Sequence, residues 1–199
     1  MSSRYKKQGD VADQVDIAKI TATNDAIVDV NFTLNTISVA GDKRDKGTRK
    51  KNVIGYRAQD EITIVGGANA GDNTIVSVAY DDMDTILTLK EPLVSDVVAG
   101  NVTYKAKAYV IDGFFPYENV AVQGDFSGVA YSVPADAILS YWESNDGVEY
   151  FALAGTDLLA SGTSTKLRKF TAINMQFFKI KFEVKSAVLG TYSIYITAR

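Results

Sequence analysis

Three short stretches of the sequence hold residue types at spacings that could do chemistry. The first is Asp42–Lys51, DKRDKGTRKK, which packs Lys43, Arg44, Lys46, Arg49, Lys50 and Lys51 into ten positions. A single-sign cluster of that density can meet phosphates or an acidic protein surface, or it can be a solvated loop between strands. No aromatic residue interrupts it, which argues against single-stranded nucleic acid. The second is Tyr141–Tyr150, YWESNDGVEY, with the only tryptophan of the chain. Trp142 could stack on a sugar ring or dock a partner. In the plainer reading Asn145, Asp146 and Gly147 make a tight hairpin turn, and Trp142 packs near Tyr150 or Phe151 across the strand pair, in a core or covering its edge. The third is Asp81, Asp82 and Asp84. Clustered carboxylates can hold calcium, but the glycine and distal Glu of an EF-hand loop are missing, and a hairpin turn explains the run.

Composition removes whole classes of mechanism. The 199 residues include no Cys and no His. Disulfides, thiolate zinc sites, Cys nucleophiles, Ser–His triads and imidazole bases are therefore absent from this sequence. Carboxylate pairs and hard-cation sites are what remains, and no Asp/Glu pair stands out beyond turn chemistry. The glycine-rich VGGANAGDN at 65–73 lacks the Lys-Ser/Thr pair and the following helix of a phosphate loop, and reads as a flexible connection. A net charge of −3 does not suit a nucleic-acid binder. No apolar run approaches the roughly 20 residues of a membrane-spanning helix. MSSRYKKQGD has no apolar segment behind its basic residues, so it reads as no secretory signal. The expectation is a protein without enzymatic activity, cofactor, metal or membrane.

The elements that must position these residues are strands. Phe178, Ile180, Phe182 and Val184 alternate with Lys179, Lys181, Glu183 and Lys185, as a half-buried strand does. Ile194 and Ile196 belong to a similar run, with KSAVLG at 185–190 a suitable turn, so a C-terminal hairpin is expected. Residues 26–34, 61–66, 73–80, 85–89, 102–110, 135–142 and 148–154 read as further strands, about ten in all. Only Asp10–Ile20 and a piece around Ser161–Phe170 could be helical. The class is mainly β, with two small antiparallel β-sandwich or barrel-like domains and an extended N-terminal arm. Expected boundaries are 1–20 for the arm, 21–111 for the first domain and 112–199 for a C-terminal sandwich.

Two segments carry a resemblance. YWESNDGVEYFAL, followed by INMQFFKIKFEV and GTYSIYITAR, resembles a β-sandwich module of tailed-bacteriophage virion proteins, matched at Trp142, Ser144, Asn145, Asp146, Gly147 and Tyr150. Discoidin-like carbohydrate-binding modules use a similar hairpin. DEITIVGGANAGDNTIVSVAYDDMDTILTL resembles small β-domains of phage head, neck and tail proteins. The cationic loop matches neither.

The resemblance implies a non-enzymatic virion component, made in the host cytoplasm, that acts as a capsid decoration or cement protein or at the head–tail junction. Its partners would be other virion subunits, in a multi-copy symmetric assembly or homo-oligomer. The residues expected to meet them are Arg4 and Tyr5 of the arm and Lys43, Arg44, Lys46, Arg49, Lys50 and Lys51 of the loop. The alternative is a carbohydrate-binding β-sandwich module using surface aromatics such as Trp142.

Overall fold

The computed structural model describes residues 10–16, 24–45, 55–112, 119–130, 137–153, 157–159, 165–171, 176–184 and 189–198. These residues hold no helix, and the fold is all-β with antiparallel sheets. The chain divides into two units. One combines Met1–Ile17, Tyr109–Phe182 and Ser186–Arg199, and the other is Ala18–Ala108 with Glu183–Lys185.

The Ala18–Ala108 unit is built from β2 (Asp25–Asn31), β3 (Thr36–Ala40), β4 (Glu61–Val65), β5 (Gly71–Tyr80), β6 (Asp84–Leu89) and the first part of β7 (Asn101–Asp112). Each pairs antiparallel with two neighbours, in the cycle β2–β3–β6–β5–β4–β7 and back to β2. A cycle of ladders is a closed barrel, which leaves no sheet edge to cover. Strand β6 shows the sequence logic plainly: Thr85, Leu87 and Leu89 point inward and are buried, alternating with half-buried neighbours. Strand β2 breaks the rule. Ile27 and Val30 are three apart yet both buried, because the β2–β3 register shifts between Ile27 and Asp29. A bulge absorbs the extra residue there. With Ile37, Val39, Tyr56, Ile62, Ile64, Ile75, Leu93 and Val102 these side chains fill the barrel.

The other unit has a sheet in the order β1 (Asp10–Asp16), β14 (Leu189–Ala198), β8 (Asn119–Ala130), β12 (Thr165–Thr171). In its second sheet β9 (Ala137–Ser144) lies between β13 (Phe177–Val184) and the short strands β10 (Phe151–Ala152) and β11 (Asp157–Leu159). Phe170 of β12 stands 4.8 Å from the Tyr141 ring and 5.5 Å from the Phe178 ring, so the two sheets pack face to face. Phe178, Ile180, Phe182, Leu139 and Val122 complete a sandwich core. The inward face expected of β13 is thus correct at Phe178, Ile180 and Phe182, while the burial of Val184, Ile194 and Ile196 lies outside the described residues.

Several expectations need correction. Asp10–Asp16 is strand β1, paired to β14, and Thr165–Thr171 is strand β12, paired to β8, so neither expected helix forms there. Backbone pairing to a sheet overrides the weak helical spacing of DVADQVD. Residues 26–34 do not form one strand: β2 ends at Asn31, and a turn leads into β3. Asn35 takes a φ of 54° there, and the Asn31 carboxamide oxygen accepts the Leu34 N–H at 2.9 Å. The C-terminal hairpin is also wrong. Strands β13 and β14 belong to different sheets, and β14 pairs with β1 and β8.

Candidate functional site

The base of the cationic loop is a densely hydrogen-bonded polar region of the barrel unit. Residues 43–45 and 55–57 run side by side, bridged between Arg44 and Tyr56. The Asp45 N–H donates to the Tyr56 carbonyl at 2.9 Å, and the Tyr56 N–H to the Lys43 carbonyl at 2.7 Å. Gly55 permits this approach, since a Cβ there would overlap the Arg44 and Asp45 backbone.

A buried ion pair lies against this stem. Lys107 Nζ donates to Asp60 Oδ2 at 2.8 Å and to the Gly55 carbonyl at 2.6 Å, with Asp45 Oδ2 3.6 Å away. Asp60 also accepts the Ala108 N–H at 2.9 Å and the Arg57 N–H at 3.1 Å. Burial pushes the Asp60 carboxyl up and the Lys107 ammonium down, and each charge opposes the shift of the other. The Tyr56 hydroxyl donates to Asp25 at 2.8 Å and is raised by burial and by that carboxylate, and its ring stacks on Tyr104 at 4.9 Å. Simple alternation through 102–110 would put Lys105 and Lys107 together in solvent. Only Lys105 stays partly exposed, paired with Asp72. A register shift in the β4–β7 ladder accompanies the turning of Lys107 over the Tyr104 ring.

Of the loop cations, Lys43 pairs with Asp25 at 3.0 Å. Arg44 makes a two-pronged contact with Asp42 and covers the Tyr80 ring. Lys46, Arg49, Lys50 and Lys51 lie outside the described residues, as do Arg4 and Tyr5.

In the sandwich unit residues 145–150 connect β9 to β10, so the expected tight turn at Asn145–Gly147 is the first half of a longer loop. The expected strand 148–154 is confined to Phe151–Ala152, and Trp142 stands opposite Ala152 with Glu143 opposite Phe151. Ser144 Oγ accepts the N–H groups of Asp146 and Gly147 and donates to Asp146 Oδ1 at 2.8 Å. The same carboxylate oxygen accepts the Val148 and Glu149 N–H groups, which hold Asp146 below the ordinary carboxylate range. Gly147 has φ 73°, and a Cβ there would stand 3.2 Å from the Phe177 ring. Asn145 is exposed.

The core aromatic of β9 is Tyr141, one residue before the tryptophan. Trp142 is half-buried on the opposite face of that strand, where its Nε1 donates to Ser140 Oγ at 3.0 Å. Lys179 and Lys181 place their ammoniums 5.4 and 5.2 Å from its ring centroid, and Lys179 lies 3.9 Å from the Tyr150 ring. Lys179 is itself buried, so the face of β13 expected to be solvated is partly covered. Alternation assigned these residues to a face without saying that aromatic rings would roof it.

The acidic turn is a turn. Asp81 Oδ1 accepts the Met83 and Asp84 N–H groups at 3.1 and 2.8 Å, Asp82 takes φ 76°, and the Asp81 carboxyl is held low. Among the described residues no three metal-binding side chains converge.

No protein-family model matches the sequence. No curated protein matches it either. A solved structure described as "CBM4 structure and function" is similar at 12% identity and a TM-score of 0.35, over 78% of this chain and 92% of that one. The fold stated above rests on the strand pairings alone.

Proposed function

We propose that the protein is a non-enzymatic structural component of a tailed-phage particle, a capsid decoration or cement protein or a head–tail junction subunit, made in the host cytoplasm and carried on the virion. The observation that supports this reading most is how the polar groups that could do chemistry are used. Asp81, Asp146 and Ser144 fasten turns, and Asp60 and Lys107 fasten a loop stem. The chain spends them on rigidity, as a load-carrying subunit requires. Strand β1 adds to the same picture, because a segment near the N-terminus completes a sheet by backbone pairing at its edge. Strand addition of this kind can attach one subunit to the next. The cationic loop would steer docking onto acidic neighbouring subunits, with an effect that falls as salt rises.

The sugar-binding alternative is less well supported, since ammonium groups already lie over the Trp142 ring where a pyranose would stack. The test is cross-linking mass spectrometry of purified particles together with cryo-EM. The reading expects a fixed multi-copy stoichiometry and cross-links from Lys46, Lys50 and Lys51 to other virion subunits. Recovery of the protein only outside particles would overturn it.

A further inference from the structure

The atoms of the Asp60–Lys107 pair are arranged as the reactants of a condensation. Both residues are shut off from solvent: Asp60 is 0% exposed and Lys107 1%. Lys107 Nζ donates to Asp60 Oδ2 at 2.8 Å, so the carboxyl carbon lies one bond beyond the atom that the nitrogen already touches. The other carboxyl oxygen, Oδ1, accepts the Ala108 N–H at 2.9 Å. That N–H polarises the carbonyl and can hold the oxyanion of a tetrahedral intermediate. Lys107 Nζ also donates to the Gly55 carbonyl at 2.6 Å and stands 3.6 Å from Asp45 Oδ2. With its N–H groups drawn to those two acceptors, a neutral amine turns its lone pair toward Asp60. The Tyr104 ring lies 5.2 Å from Nζ and stacks on Tyr56, which adds an aromatic cover to the site.

Condensation needs a free amine and a protonated acid. Burial penalises both charges, raising the Asp60 carboxyl and lowering the Lys107 ammonium. The Arg57 guanidinium, paired with Asp45 at 3.1 Å, also favours the neutral amine, while it opposes protonation of Asp60. One proton moving along the 2.8 Å hydrogen bond turns the ion pair into the two reactants. Condensation then removes both charges from a site where each is costly to desolvate. The product keeps most of its partners: an amide N–H for the Gly55 carbonyl and an amide oxygen for the Ala108 N–H. The Arg57 N–H, which reaches Oδ2 at 3.1 Å, gives up its acceptor. Holding the two groups in contact supplies the proximity that the same groups lack in water. Exclusion of water protects the amide once it has formed.

We infer that Lys107 and Asp60 condense into an intramolecular amide, which joins the start of β4 covalently to β7. The Nζ lone pair attacks Asp60 Cγ and forms the N–C bond. The Cγ–Oδ2 bond breaks, and Oδ2 leaves as water. Its two hydrogens are the carboxyl proton and one from the attacking nitrogen, which Asp45 is placed to carry. The balance is amine plus acid to amide plus water, and it needs no oxidant or co-reactant. Asp60 immediately precedes β4 and lies 47 residues before Lys107, so the bond spans the β4–β7 ladder. Such a link restricts the unfolded chain as a disulfide does, in a sequence that has no Cys. The ion pair is the state in which the barrel first folds, and replacing Lys107 removes ion pair and amide alike. The inference goes beyond the virion reading, because the reaction takes place within one folded chain.

The experiment is intact-mass spectrometry of the purified full chain under denaturing conditions, followed by tryptic mapping. Wild type should be lighter than its sequence by one water. Trypsin should fail to cut after Lys107 and should release residues 58–90 joined to residues 106–166. Lys107→Arg keeps the positive charge without the amine, so it should have its full mass. Asp45→Asn keeps both reactants and removes the proton carrier. Timed from cell-free synthesis, it should lose the water about a hundredfold more slowly than wild type. Wild type at full mass, with trypsin cutting after Lys107, overturns the inference. A missing water that maps to an Asp–Gly step, where a cyclic imide forms, overturns it too. Asp45→Asn that condenses as fast as wild type overturns the role given to Asp45. If Lys107→Arg misfolds, the wild-type peptide map carries the test. The particle experiment above is independent of all these outcomes.

Discussion

Replacing Lys107 by methionine tests the stem of the cationic loop. The change keeps the length of the side chain and removes its charge and donors. It leaves the Asp60 carboxylate buried, with the Ala108 and Arg57 N–H groups still donating to it, and it takes the Lys107 donor from the Gly55 carbonyl. Removing one partner of a buried ion pair costs about 3–5 kcal/mol. An unsatisfied buried carbonyl accounts for ~1 kcal/mol or more of that. The Arg57 guanidinium still favours the charged carboxylate, so the lower half of the range is expected. The pH dependence is the sharper signature. With Lys107 gone, Asp60 is raised by burial, and its ionised form is the one the fold penalises. The penalty is present at neutral pH and is relieved as pH falls through the raised folded value. The slope can reach about 1.4 kcal/mol per pH unit. Amide hydrogen exchange of barrel residues such as Ile62 and Val102, at several pH values, reads the stability of this unit separately from the sandwich. Adding Asp60→Asn removes the charge but keeps an acceptor for only one of the two N–H groups, which reach different carboxylate oxygens, so it should recover part of the loss and flatten the pH dependence. A loss under about 1 kcal/mol, or one independent of pH, would refute the assignment of Lys107 as counter-charge to a buried carboxylate.

Phe182→Ala should destabilise the sandwich unit by about 3–5 kcal/mol in chemical denaturation followed by Trp142 fluorescence, because the side chain is fully buried. A loss below ~1 kcal/mol would mean the core can collapse around the gap. Gly147→Val should cost roughly 1 kcal/mol or more from its positive φ alone. The added atoms also crowd the Phe177 ring, so the Phe177 aromatic resonances should shift with the loss. Asp146 should titrate below the ordinary carboxylate value of 3.8 in a carbon-detected NMR pH series. Its depressed folded value means that its contribution is present above that pH and lost as pH falls below it, so hairpin amides 146–149 should exchange faster only in strong acid. An ordinary or raised value would contradict the hydrogen bonds drawn to it.

Local chemistry made part of this protein legible from sequence. Alternation in Phe178–Phe182 identified a buried face because a strand turns each successive side chain to the opposite side, whatever lies beyond it. Ser144, Asn145, Asp146 and Gly147 announced a turn because a short polar side chain and a residue tolerant of positive φ satisfy it within a few residues. The absence of His and Cys excluded mechanisms outright. Tertiary structure alone decided the rest, and the reason is common to each case: the deciding partner is distant in sequence. Strand β1 became a strand because β14, some 180 residues away, offers its edge. Strands β13 and β14 look like a hairpin in sequence, yet β8 and β1 claimed β14. Barrel closure joins β2 to β7 across some 75 residues, and no local signal encodes that ladder. Lys107 reads as a solvated lysine until Asp60 and Gly55, each about 50 residues away, fold over it.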